Sequence, residues 1–195
     1  MLRADGYDAV GVDPNAPDEP HYLRVEFELA ELPANVDAVV ASTSLHHVAD
    51  PAEVVERLAR LLGPRGTLVV VEWDWAHFDD ETAAWCFTRL DPEGEPGWLH
   101  RRHEGWIASG EPWHVYFLEW ARSHGLHDTR DLLRLLDASF ERLHLERGAY
   151  FFPGLAGTTE ADELEAIREG RIRAARVDYA GRPRPAAALS RGPSP

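Results

Sequence analysis

Two adjacent histidines, His46 and His47, stand just past an apolar run, Val36 to Ala41. An imidazole with an ordinary pKa of about 6.5 can take a proton from a hydroxyl or an amine near neutrality, so either is a candidate general base. Metal ligation is a second reading, but adjacent histidines point apart and no Asp, Glu or His set at ligand spacing flanks them. The third reading is structural, with one ring packed against the helix that follows. His100/His103 and His124/His127 are spaced like ligand pairs, yet they sit in polar stretches that read as surface. No metal site is expected.

Asp13 ends a short apolar run, Tyr7 to Val12. A carboxylate at the end of an early parallel strand can accept from both hydroxyls of a ribose. It can equally open the turn Asp13-Pro14-Asn15. Further along, Trp73, Trp75, Phe78 and Trp85 follow a third apolar run, where aromatic side chains can line a pocket for an apolar acceptor. They can equally be plain core, while the spacing of Trp113, Phe117 and Trp120 puts those three on one helical face buried in the core. Glu72 and Asp74 are acids at the end of the same run and within reach of a ligand there.

These residues need elements to hold them. Tyr7–Val12, Val36–Ala41 and Thr67–Glu72 read as strands, the last apolar on both faces as a strand covered from both sides should be. Between the second and third, Asp50 is an N-cap, Pro51 suits the first helical position, and Glu53 completes a capping-box pattern. Val54, Val55, Leu58, Leu61 and Leu62 then share one face, and Gly63-Pro64 stops the helix. Strand, helix and strand with short links imply a parallel, right-handed crossover. Later, Glu111–His124, Thr129–Ser139 and Glu160–Glu169 read as helices, and Glu141–Phe152 and Arg171–Tyr179 as an antiparallel strand pair. The Pro- and Arg-rich stretch 181–195 reads as a disordered tail.

The order of these motifs resembles the class I S-adenosylmethionine-dependent methyltransferases of the small-molecule type. The stretch carrying it runs from Asp13 through Phe27-Glu28-Leu29-Ala30-Glu31-Leu32-Pro33, Val36 to Ser42 and Leu45-His46-His47-Val48, then the capped helix and Leu62 to Glu72. The resemblance implies a Rossmann-like, doubly wound, mostly parallel α/β sheet closed by an antiparallel strand pair. It spans 1–180, with 76–125 as a helical insertion on the substrate side. It also implies S-adenosyl-L-methionine as cofactor, with Asp13 on the ribose and Leu29 at the position where the family usually has an adenine-reading Asp. The backbone amide of Ala30 is left to serve the adenine, and Ser42 lines the methionyl end. Trp73 and Trp75 would face a small-molecule acceptor.

In the family a first strand and a glycine-rich loop precede the ribose acid, whereas here Met1 to Gly6 looks like the end of the intervening helix. The resemblance therefore implies a domain truncated at its amino end. A sheet lacking a central strand leaves backbone groups unpaired. The expected results are instability, pairing of the two strands that flank the gap, or a homodimer formed through exposed sheet edges.

Composition bounds the rest. The chain has 195 residues, a hydrophobic content of 44%, one cysteine and a formal net charge of −14. That charge argues against nucleic acid or an anionic membrane as partner. A lone Cys86 and the absence of a signal-peptide segment or of an apolar run of roughly 18 residues fit a cytoplasmic protein. A catalytically inactive binding or regulatory protein on the same fold is the alternative. A nicotinamide-dependent oxidoreductase ranks below both, since the chain has no lysine for the usual Tyr-Lys relay.

Overall fold

The computed structural model describes residues 2–185. Its best-determined local signal is the capped helix. Asp50 Oδ1 accepts from the amides of Ala52 and Glu53 at 2.9 and 3.1 Å, and α1 runs over Pro51–Leu61. Val54, Val55 and Leu58 are its buried stripe. β3 (Val36–Ser42) precedes it and β4 (Leu62–Trp73) follows without a linking residue, so the expected Gly63-Pro64 stop falls inside the irregular start of that strand. The two strands are parallel, with Ala38 opposite Thr67 and Ser42 opposite Val71.

Upstream, the strand expected over Tyr7–Val12 contracts to β1 (Gly11–Val12), which pairs in parallel with β2 (Tyr22–Leu23) in a sheet of its own. Tyr7 and Val10 stay exposed, so no packing draws the strand out further. The two strands expected to close the gap therefore do not pair with each other: β1 partners β2, and β3 is an edge strand of the main sheet.

That sheet has the order β3-β4-β6-β5, with β5 at Phe140–Gly148 and β6 at Arg176–Pro183. β6 is antiparallel to both neighbours, the antiparallel closing pair of a Rossmann-like α/β fold. β4 and β5 consequently point the same way, and their carboxyl ends share one end of the sheet. The expected tail begins later than the proline content indicates, because Gly181, Arg182 and Pro183 pair with Leu68, Glu141 and Phe140. Gly181 is needed there: a Cβ would come within 3.0 Å of the Phe140 Cβ and the Tyr179 ring. The remainder of that stretch, 186–195, lies outside the described residues.

Two cores result. α1 and α5 (Thr129–Ser139) cover one face of the sheet, where Val54, Val55, Leu58, Leu132 and Leu136 meet Leu68, Val70, Phe140 and Tyr179. The second core is aromatic and sits past the strand ends. It gathers Trp73, Phe78, Trp85, Trp113, Phe117 and Phe151 among α2 (Asp80–Phe87), α3 (Trp98–Ser109), α4 (Trp113–Ser123) and α6 (Glu160–Arg168).

Candidate active site

At the carboxyl end of β4 the strand alternation sends Glu72 into the interior beside the turn that leaves β3. Its Oε1 accepts from the backbone amides of Ser44 and Leu45 at 2.8 and 2.7 Å, and its Oε2 from that of Trp73 at 3.1 Å. The same Oε2 lies 2.5 Å from His46 Nδ1, and both side chains are buried. Thr43 begins this turn in the left-handed region with φ 47° while its amide bonds Val71 O at 2.7 Å. One carboxylate thus fixes both the turn and the ring on it.

A carboxylate can only accept, so Nδ1 is the donor, and in the neutral imidazole the lone pair falls on Nε2, which has no hydrogen-bond partner among the described residues. The neighbouring His47 is exposed, with its ring centroid 4.1 Å from that of His46. Desolvation of the part lying against the protein, and then His46, lower its pKa; Glu72 opposes this and His124 reinforces it. The loop before α5 clamps the arrangement from outside. His127 donates its amide to His46 O at 3.0 Å and its Nε2–H to Val48 O at 2.8 Å, and Thr129 Oγ1 reaches Trp73 O at 3.2 Å. No sequence motif marks His127 for this role.

The aromatic residues divide differently from the sequence expectation. Trp73 is only 4% exposed, with Tyr150 stacked on it at 5.7 Å and 8°, Trp98 edge-on at 5.0 Å and His46 edge-on at 6.0 Å. It is core rather than pocket lining, because these rings and Phe117 enclose it. Trp75 is half-buried and tied by Nε1 to His127 O at 2.9 Å. The half-buried rings against Trp73 are Trp98 and Tyr150 instead. Asp74 is buried too, and its Oδ2 holds Arg147 at 2.5 Å.

Asp13 is exposed at the end of β1, where its Oδ1 accepts from the Asn15 amide at 2.6 Å. It is therefore the acid of a tight turn, with Oδ2 left over for a ligand hydroxyl. Leu29 ends a 3-10 turn, Phe27–Leu29, and is 70% exposed. The amide of Ala30 is not on offer to an adenine, because the turn spends it on Phe27 O at 3.2 Å; its carbonyl takes Arg57. Ser42 is exposed at the end of β3. Among the described residues no three His, Cys, Asp or Glu side chains are placed to hold a metal. The spaced histidines have packing roles: His100 caps the start of α3 through the Gly97 amide, and His124 lies on Trp120 at 4.5 Å.

Fold and site together define a Rossmann-like α/β protein with its polar constellation at the carboxyl ends of parallel strands. The family model described as a methyltransferase domain matches residues 1–139, and the chain belongs to that family. Uncharacterised methyltransferases of Mycobacterium tuberculosis and Mycobacterium bovis are 32% identical to it over 123 residues, 59% of this chain and 53% of theirs. The chain thus spans about half the length of the curated relatives it matches. A solved protein of Pyrococcus horikoshii OT3 shares the fold at a TM-score of 0.53 and 10% identity, over 94% of this chain and 74% of its own.

Proposed function

We propose that this chain performs S-adenosylmethionine-dependent methyl transfer to a small-molecule acceptor, with His46 as general base. The observation that carries the reading is the buried Glu72–His46 pair at the carboxyl end of β3 and β4. Glu72 fixes the tautomer, Nε2 removes the proton of the acceptor's hydroxyl or amine, and the carboxylate then stabilises the imidazolium. When bound, the cofactor would supply a sulfonium methyl group for transfer to the deprotonated acceptor. The free Oδ2 of Asp13 fits a ribose hydroxyl, and exposed Ser42 fits the methionyl end. Leu29 offers only apolar contact. No helix among the described residues is long and apolar enough to cross a membrane; with one buried, unpaired cysteine, we place the protein in the cytoplasm.

Calorimetric titration with S-adenosylhomocysteine tests the reading without an acceptor. Binding is expected, and Asp13→Ala should weaken it about tenfold or more, the worth of one hydrogen bond to a charged group. His46→Ala should leave the affinity unchanged. A folded wild-type protein that gives no binding heat would remove the proposal and favour a binding or regulatory role on this fold.

A further inference from the structure

Glu163, on α6, is fully buried yet has no part in the chemistry above. Its carboxylate fills a cradle of three successive backbone N–H groups just past the end of β5. Oε1 accepts from Tyr150 at 2.7 Å and Phe151 at 3.1 Å; Oε2 accepts from Phe151 at 2.9 Å and Phe152 at 2.7 Å. Such a run of converging amides binds an anion, and here the protein supplies its own. Because β5 ends on the same side of the sheet as β4, the fixed segment lies at the site end. Tyr150 is thereby stacked on Trp73, the residue that follows Glu72. Its hydroxyl has no partner among the described residues, and burial, helped by Glu72, pushes the phenol up to about 12. It thus stays a neutral hydrogen-bond donor across the physiological range.

Resting on the function proposed above, we propose that Glu163 is a positioning residue for the acceptor side of the site. By neutralising and locking the 150–152 amides it sets Tyr150 against Trp73, beside the His46–Glu72 pair. Phe151, packed 4.6 Å from Phe78, anchors the other side of the same turn. Without the carboxylate, three donors, that of Phe151 buried, need a new acceptor, and the turn must open for water to supply one.

The test is the ring resonance of Tyr150 in protein carrying ¹³C-labelled tyrosine, assigned by its absence in Tyr150→Phe. In the wild type the ring current of Trp73 displaces it from the position of an unstructured tyrosine. Glu163→Ala should move it back towards that position, and added formate, entering the emptied cradle, should restore it. Glu163→Gln keeps the volume but turns an amide donor onto the backbone donors, so it should shift or broaden the resonance; it decides the matter if the alanine variant does not fold by circular dichroism. An unmoved resonance in a folded variant overturns the proposal. So does a tenfold or greater loss of S-adenosylhomocysteine affinity in Glu163→Ala, which would make the residue a general support of the site. Absence of cofactor-product binding in the wild type is a separate result: it removes the methyl-transfer reading, while the resonance still judges Glu163.

Discussion

Glu72 is a side chain whose burial is affordable only because everything around it donates. Three backbone amides and the His46 ring converge on its two oxygens. Glu72→Ala would leave those donors unanswered, and the expected loss is about 1–3 kcal/mol for each one that stays buried. Urea unfolding reads it directly. His47 makes a prediction in pH. Its pKa is lowered in the folded protein, so above the ordinary value both folded and unfolded chains are neutral and nothing changes. As pH falls through about 6.5 the unfolded chain takes up the proton first, so stability drops until the folded pKa is passed. His47→Gln should flatten that part of a plot of melting temperature against pH. At this scale the sequence was partly legible. The two histidines stood out in the sequence, but which of them is buried against an acid did not, because that depends on Glu72 arriving from a strand 26 residues away.

Elements whose signals are local were read closely. α1 matches its cap and apolar stripe and α5 its expected bounds, since Asp50 and Asp128 accept from amides of their own first turns. Asp50→Ala should therefore cost about 1 kcal/mol, measured as a shift in the urea midpoint at unchanged slope. The boundaries that failed depend on distant partners. β1 is short because nothing covers Tyr7 and Val10, and β6 runs on to Pro183 because β4 and β5 supply partners for it. α2 and α3 carry no clean apolar stripe, since their aromatic residues meet neighbours on several sides. The adenine contact assigned to Ala30 fails for a similar reason: a 3-10 turn, invisible in an extended reading, uses the amide first.

For the molecule as a whole, the outer edge of β3 has no strand partner among the described residues, and Val40 beside it is 57% exposed. No lysine or proline on that edge guards it, and Asp37 is its only charge. A net charge of −14 keeps copies apart at low ionic strength, and salt screens it. Sedimentation should therefore show self-association that grows with salt and concentration, and Val40→Lys should reduce it. A salt-independent monomer would show that charge is not what holds the edges apart.

The two cores also differ in what they emit. All seven tryptophans lie between residues 73 and 120, and Trp73, Trp85 and Trp113 are buried in the aromatic core. The aliphatic core under α1 and α5 contains none. Intrinsic fluorescence thus sees one half of the protein, while far-ultraviolet circular dichroism sees the backbone of both. A melt followed by the two signals together resolves whether the halves come apart as one body, without a label or a substitution. Coincident curves mean a single cooperative unit, and an emission change that leads or trails the dichroism means that the aromatic half has a life of its own.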